Sequence, residues 1–170
     1  MRQLVDGLAQ IRITMSKLQI RITMSKLSKS AFTLRAQINA KWPKRDKSSD
    51  GWIGDTRHQA KPSDHNPDAQ GWVRAIDVDA DLTPKYKDQS WDLADELRTL
   101  AKSGEKRISY IIHHGKIASS RRNWKWRKYS GNPHTHHIHI SFTKLGDENT
   151  TPFDLRNLDK KVKPQTKEKK

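Results

Sequence analysis

The segment HHIHISF, from His136 to Phe142, decides the fold because it carries the clearest strand pattern in the chain. Branched and aromatic residues favour strands, and successive side chains of a strand point to opposite faces. Two sets of side chains therefore lie on opposite faces: His137, His139 and Ser141 on one, and His136, Ile138 and Ile140 on the other. The pattern predicts a strand that projects two imidazoles together from one face.

Two upstream segments predict further strands of the same sheet. VRAIDVD, from Val73 to Asp79, alternates in the same way and predicts a short strand with Asp77 and Asp79 on one face. ISYIIHHGKIASS, at residues 108–120, predicts a hairpin that turns near His114 and Gly115.

Two helices accompany these strands. SAFTLRAQINAKW has apolar residues at spacings of three and four, with Ser30 as the predicted N-cap and Pro43 as the stop. SWDLADELRTLAKSG begins at Ser90 and reaches its C-terminal stop at Gly104. The order of elements predicts an α+β fold, with a small and mostly antiparallel sheet flanked by helices.

The two ends of the chain differ from this middle region. IRITMSKLQ at residues 11–19 is repeated as IRITMSKLS at residues 20–28, and two copies are too few for a solenoid. The repeat suits either a basic membrane arm or an unpacked leader. We predict a basic leader at 1–29, one folded domain at 30–158, and a disordered basic tail at 159–170.

The composition limits the classes of function. The 170 residues contain no Cys, which excludes disulfides, Cys-based zinc sites and thiol nucleophiles. Lys and Arg number 34 against 19 Asp and Glu, and the net charge of +15 favours a polyanionic partner: nucleic acid, anionic lipid or cell-wall polymer. No stretch approaches the roughly 18 apolar residues of a membrane span. The opening MRQLVDGLAQ lacks the apolar region of a standard export signal.

The polar residues of the loop and strands suit a metal site. Catalytic zinc takes three His nitrogens or carboxylate oxygens and keeps one open position. His65 in the loop and Asp77 on the strand can complete such a set with the imidazoles of His137 and His139. The run HTHHIH taken alone suits a surface patch or structural histidines equally well.

The segment SDHNPDAQGWVRAID, followed far downstream by HHIH, resembles the zinc D,D-peptidase and Hedgehog-fold family. That family includes vancomycin-resistance dipeptidases and L-alanyl-D-glutamate phage endolysins. The matching residues in this sequence are Ser63, His65, Ala75, Asp77, His137 and His139. GWIGDTRHQAKPSDHNPD, YIIHHGKIASS and NPHTHHIHISF also resemble bacteriophage lysis proteins built on this domain, over most of residues 32–142. The resemblance implies that His65, Asp77 and His139 bind Zn²⁺.

Two features depart from the family pattern. His65 and Asp77 are twelve residues apart, more than is usual in the family, so the loop between them must bulge. The position three before the last ligand, where the endolysins and dipeptidases have a carboxylate, is His136. The general base therefore stays open between His137, preferred because it shares the ligand's face, and His136. Asp79 or Asp64 is an alternative, as an orienter of a ligating His.

Several other polar and aromatic side chains allow more than one interpretation. Arg57 either binds a carboxylate of the substrate, as an Arg does in some relatives, or is a solvated loop residue. Three aromatic residues either line a groove for a polymer or pack under the sheet: Trp124, Trp126 and Tyr129. His113 and His114 at the hairpin turn are predicted to be structural or exposed, and His58 and His134 have no assigned role.

The resemblance implies a zinc metallopeptidase, acting as a phage endolysin on peptidoglycan stem peptides. It is expected to be a monomer drawn to the anionic envelope, without specific nucleic-acid binding or a transmembrane segment. It would wait in the host cytoplasm until lysis and then act in the periplasm or cell wall. The bond stays open between D-Ala-D-Ala, cross-link and L-Ala-D-Glu bonds. The alternatives are a metal-dependent HNH-like nuclease and a nonenzymatic basic protein that binds nucleic acid or cell wall.

Overall fold

The computed structural model describes residues 25–55, 61–83 and 89–156. Within these residues the chain folds as α+β, with two helices and a five-stranded antiparallel sheet. This confirms the predicted α+β class with a mostly antiparallel sheet and flanking helices. The predicted leader and tail lie almost wholly outside the described residues.

The helices are α1 (Lys29–Lys41) and α2 (Gln89–Lys102). The strands are β1 (Lys26–Leu27), β2 (Trp72–Val73), β3 (Ala75–Asp79), β4 (Ile108–His113), β5 (Lys116–Ser119), β6 (Arg127–Lys128) and β7 (His137–Phe142). The main sheet has the order β3-β7-β4-β5-β6, and every neighbouring pair is antiparallel. The segment His136 to Phe142 thus becomes a central strand, one residue shorter than predicted.

The sheet buries one face against both helices. The apolar residues of the strands alternate as predicted, and Ile138 and Ile140 of β7 are fully buried. They belong to one cluster with side chains from both helices and the neighbouring strands: Leu34, Ile38, Ile76, Val78, Leu93, Leu97, Ile111 and Ala118. The opposite face of β7 is left to the polar residues, which places the candidate site there.

The N-terminal end of α1 differs from the prediction. The helix begins at Lys29, after Ser28 in extended geometry, and the amide of Phe32 donates to the carbonyl of Ser28. Ser30 is therefore inside the first turn and not the N-cap. Its hydroxyl donates to the carbonyl of Asn149 at 2.8 Å. Local sequence does not reveal this contact, because the two residues are far apart along the chain.

The folded domain begins earlier than residue 30. Lys26 and Leu27 form β1, which pairs in parallel with Trp72 and Val73 of β2. The predicted strand from Val73 to Asp79 is interrupted at Arg74, so β2 and β3 belong to different sheets. The end of the second repeat copy is thus part of the fold, which extends the folded domain a few residues before the predicted boundary at residue 30.

The predicted hairpin is confirmed. β4 and β5 are joined by His114 and Gly115, which have φ values of 44° and 70°. Two consecutive residues with positive φ form the tight turn that matches strand twist. Gly104, with a φ of 114°, ends α2 as predicted. In the described part of the chain, no helix is both long and apolar enough to span a membrane.

Candidate metal centre

Three side chains that are far apart in sequence converge on the polar face of the sheet. The Nε2 atom of His65 lies 3.1 Å from Nδ1 of His139 and 3.3 Å from a carboxylate oxygen of Asp77. Nδ1 of His139 lies 3.1 Å from the other oxygen of Asp77. One ligand atom from each residue falls within 4.8 Å of the others, so the group can hold a metal ion.

The spacing of these atoms suits a tetrahedral ion. Zinc binds His nitrogen and carboxylate oxygen at about 2.0–2.2 Å, which places neighbouring ligand atoms of a tetrahedron about 3.3 Å apart. The two imidazole nitrogens are 3.1 Å apart, and the two oxygens of Asp77 lie at 3.3 Å from His65 and 3.1 Å from His139. Two imidazoles and one carboxylate also leave the fourth position open. The residues present therefore fit a zinc ion.

Sheet pairing brings Asp77 and His139 together. The two residues are direct partners in the antiparallel pair of β3 and β7, and their side chains share the polar face. The backbone of Asp77 also exchanges hydrogen bonds with Gly51, which closes the loop of residues 51–55 against the edge of the sheet. Two of the three candidate ligands are thus fixed by the rigid backbone of adjacent strands.

His65 is carried to the site by a folded loop. The carboxylate of Asp68 accepts hydrogen bonds from the amides of Gln70 and Trp72, and Arg74 joins Asp68 to Asp147 by ion pairs of 2.6 and 2.7 Å. This network turns the chain between His65 and β3. The bulge predicted from the twelve-residue spacing is present. The ion pairs of Arg74 with Asp68 and Asp147 hold it in place.

Each candidate His ligand has a partner on its other ring nitrogen. Nδ1 of His65 donates to the backbone carbonyl of Trp52 at 3.1 Å, which directs Nε2 toward the cluster. Nε2 of His139 lies 3.0 Å from the hydroxyl of Ser141, which leaves Nδ1 for the cluster. The orienting groups are therefore Trp52 and Ser141. Neither residue was among the candidates taken from the sequence.

The two carboxylates considered as orienters, Asp79 and Asp64, have other partners in the structure. The carboxylate of Asp79 accepts from Ser48, Ser49 and the amide of Asp81. Asp64 interacts with the hydroxyl of Tyr110. Asp79 is bound by the loop of Ser48 and Ser49, whereas Asp64 lies against Tyr110 of β4.

The charge at the site favours a cation. Burial alone would raise the pKa of Asp77, but hydrogen bonds from His139 and His65, with their charges, hold its pKa well below the usual range. Burial likewise opposes protonation of His65, yet the hydrogen bond and charge of Asp77 raise its pKa. Asp77 is therefore an ionised carboxylate between two imidazoles, and its side chain is 19% exposed.

His137 stands beside the three candidate ligands. Its Nε2 atom lies 3.6 Å from an oxygen of Asp77, on the same face as His139. Burial lowers the pKa of His137, so the imidazole is neutral near pH 7 and free to accept a proton. The side chain is 22% exposed, which leaves it open to a substrate.

His136 lies elsewhere. It precedes β7, its side chain is exposed, and its carbonyl accepts from the amide of Ala80. It lines a separate cleft of about 130 Å³ with Asp79 and Asp81. Among the described residues, no hydrogen bond or ion pair joins His136 to the three candidate ligands. Arg57 and His58 fall outside the described residues, so the substrate-binding role of Arg57 stays a prediction.

Sequence reasoning missed His134. Its ring centroid lies 4.9 Å from that of His137 and 5.3 Å from that of His139, so it closes one side of the cluster. Burial lowers the pKa of His134 to about 4. The residue has a φ of 51°, a left-handed conformation that turns the loop back over β7, and only its membership of HTHHIH hints at this position.

The aromatic loop packs inward. Trp124 is buried in the core, and the indole of Trp126 donates to Asp95 of α2 at 2.9 Å. Tyr129 is half-buried, with its ring 6.2 Å from that of His134. The sequence left two alternatives for these three residues, a polymer groove or packing under the sheet. Trp124 and Trp126 follow the second.

His113 is structural, and its tautomer follows from its partners. Nδ1 faces the carbonyl of His137 at 3.2 Å, which can only accept, so Nδ1 carries the proton and Nε2 accepts from the hydroxyl of Ser90 at 3.1 Å. The side chain is fully buried, and burial lowers its pKa to about 4. His114, at the turn, is exposed.

We expect His113 to make the fold acid-sensitive. The unfolded chain binds a proton at this residue below about pH 6.5, whereas the folded chain does so only near pH 4. Stability is therefore complete above pH 6.5 and falls as the pH drops toward 4, by on the order of 3 kcal/mol. Urea unfolding at pH 7 and pH 4.5 should show a smaller loss in His113→Gln than in the wild type. Exposed His114→Asn is the control, and an unchanged loss in His113→Gln would contradict the assignment.

Comparisons with known family models, with curated proteins and with solved structures find no match to this chain.

Proposed function

We propose that the protein is a zinc metallopeptidase that hydrolyses peptide bonds of peptidoglycan, acting as a bacteriophage endolysin on the Hedgehog and D,D-peptidase fold. One observation carries the proposal: His65, Asp77 and His139 meet with their donor atoms 3.1 to 3.3 Å apart. These are the three positions at which the sequence resembles the ligands of that family. The α+β sheet with helices on one face supports the same family.

The donor set favours zinc over the hard cations. Calcium and magnesium are bound mainly by oxygen, whereas two imidazole nitrogens with one carboxylate are typical of catalytic zinc. When bound, a zinc ion supplies Lewis-acid chemistry, since it polarises a carbonyl and acidifies water. The role of the protein is to hold the ion with three ligands and to keep the fourth coordination position accessible.

His137 is placed to move the proton. Its neutral imidazole takes a proton from the attacking water and returns it to the leaving amine, so no charged amide anion has to form. Asp77 lies 3.6 Å from Nε2 of His137 and stabilises the imidazolium while it exists. No protein nucleophile is required for this reaction, in keeping with the lack of Cys.

The charge of the chain supports an anionic surface as the place of action. A net charge of +15 attracts the chain to the bacterial envelope without a separate binding domain. Stem peptides of peptidoglycan are the proposed substrate. As an endolysin the chain is proposed to act as a monomer, in the host cytoplasm until lysis and then in the periplasm or cell wall.

The test is digestion of purified peptidoglycan by the wild type and by His139→Ala, with mass spectrometry of the products and metal analysis of both proteins. We expect the wild type to release peptide fragments whose masses identify the bond. His139→Ala should lose bound zinc and with it the activity. His114→Asn, at an exposed turn, is the matched control and should retain both.

Three results would overturn the proposal. Undigested peptidoglycan with zinc-loaded wild type would exclude the peptidase. Metal-dependent cleavage of DNA, lost in His139→Ala, would assign the same site to the nuclease alternative. Salt-sensitive DNA binding that persists with chelator, without peptidoglycan digestion, would favour the nonenzymatic alternative.

A further inference from the structure

A second cleft opens on the polar face of the sheet, beside the candidate metal centre. It has a volume of about 310 Å³, and its lining includes Tyr110 and Ile117 together with Arg121 and Arg127. Hydroxyl groups of Ser119 and Ser120 also line it. None of these side chains belongs to the proposed metal site.

Strand pairing places this cleft on the same face as the metal ligands. Tyr110 of β4 pairs with Ser141 of β7 on one side and with Ser119 of β5 on the other. Ile117 of β5 pairs with Arg127 of β6. Directly paired residues of a sheet share a face, so one continuous surface runs across four strands from the ligands to the edge.

Tyr110 joins the two regions. Its ring stacks on that of His139, with centroids 5.4 Å apart and an angle of 22° between the planes. The same side chain forms part of the cleft wall. An extended peptide that reaches the metal centre on this side must therefore pass over Tyr110 into the cleft.

The cleft offers free positive charge. Five other arginines of the described residues are held by carboxylates, in the pairs Arg45–Asp50, Arg74–Asp68, Arg98–Asp95, Arg107–Glu105 and Arg156–Asp154. Arg121 and Arg127 are exposed and, like Arg35 and Arg122, make no ion pair with a described residue. Two unneutralised guanidinium groups beside an aromatic wall favour an anionic ligand.

We propose that this cleft is a subsite that binds a free carboxylate of the stem peptide, through Arg121 and Arg127. The inference rests on the proposed function, because it takes the substrate from there. A guanidinium presents paired N–H donors that match a carboxylate, and the ring of Tyr110 with Ile117 supplies an apolar wall for the adjoining peptide. The subsite makes the protein select acidic over amidated peptides.

The test compares two double variants of equal charge in the full-length protein. Arg121→Gln/Arg127→Gln removes both guanidinium groups of the cleft. Arg122→Gln/Lys128→Gln removes two exposed charges at the neighbouring positions, which do not line the cleft. Thermal unfolding of both variants checks that the fold is retained. If the first variant fails to fold, Arg127→Lys with intact Arg121 replaces it.

The probes are three forms of the peptide L-Ala-γ-D-Glu-L-Lys-D-Ala-D-Ala: unmodified, amidated at the D-Glu α-carboxylate, and amidated at the C-terminus. Affinity is the Kd from calorimetry where the peptide survives, or KM from initial rates where it is cleaved. We expect one amide form to bind the wild type about tenfold more weakly than the unmodified peptide, and which form it is identifies the carboxylate. The cleft variant should lose this preference, and the control variant should keep it.

The outcomes separate this inference from the proposed function. If peptidoglycan is digested but the cleft variant still prefers the carboxylate, the subsite is wrong and the peptidase stands. If no peptide is cleaved, a preference that depends on Arg121 and Arg127 still supports the subsite. Equal loss of affinity in both double variants, or displacement of the peptide by short duplex DNA, would overturn it in favour of general electrostatics or a phosphate ligand.

Discussion

Saturating zinc is expected to stabilise the folded protein by about 4 kcal/mol when the free ion reaches a thousand times its Kd. The reason is that the donor atoms of His65, Asp77 and His139 are already gathered in the fold, whereas the unfolded chain has no such site. For a domain of this size the midpoint of thermal unfolding should rise by about 10 °C or more.

The measurement is thermal unfolding with chelator, with zinc and with magnesium. His139→Ala should show no zinc-dependent shift, since it removes a ligand and leaves the described fold around β7 with a smaller side chain. His114→Asn keeps every candidate ligand and should shift as the wild type does. A zinc-dependent shift of the same size in His139→Ala would place the ion elsewhere on the chain and remove the basis of the proposed function.

The second large effect concerns the proton acceptor. His137→Gln should lower the rate of peptide release by about 10² to 10⁴, the range typical of general acid–base catalysis, while bound zinc stays near one equivalent. Glutamine keeps a polar side chain of similar reach but cannot take up a proton. The measurement combines initial rates on purified peptidoglycan with the metal content of the same preparation.

His136→Gln is the matched control. His136 lies outside β7, with Asp79 and Asp81, so its substitution should change the rate by only a few-fold. The reverse pattern, with a slow His136→Gln and an active His137→Gln, would assign the proton transfer to His136. Loss of zinc from His137→Gln would instead show that His137 belongs to the ligand set.

Local pattern was sufficient for the main elements. The two-residue alternation placed His137, His139 and Ser141 on one face of β7 and Ile138 and Ile140 in the core. The hairpin turn followed from Gly115 after a polar residue, and Gly104 ended α2. These features depend on backbone geometry over a few residues, which is what sequence patterns report.

Features set by distant contacts were missed or misjudged. Ser30 resembles an N-cap, but Ser28 takes that position while Ser30 bonds to Asn149. Asp79 and Asp64 resemble orienters, but Trp52 and Ser141 hold the imidazoles. In each case more than one polar group could take the role. The tertiary contacts of each group decide which of them does.

His134 and the cleft of Arg121 and Arg127 belong to the same class. A loop with a left-handed residue folds His134 over the cluster, and no alternation or helical period describes such a turn. The cleft exists because β6 pairs with β5 on the outer side of the sheet, which puts Arg127 on the face of Tyr110.

By itself the sequence determined which residues share a strand face, where the chain turns, and that any metal site must use His and carboxylate ligands without Cys. The tertiary structure decided that β3 lies next to β7 in the register that sets Asp77 opposite His139, and that the Asp68–Arg74–Asp147 network brings His65 to them. The physical reason is range. Alternation is a property of neighbouring peptide units, whereas strand register and loop path are settled by burial and ion pairing between segments that are distant along the chain.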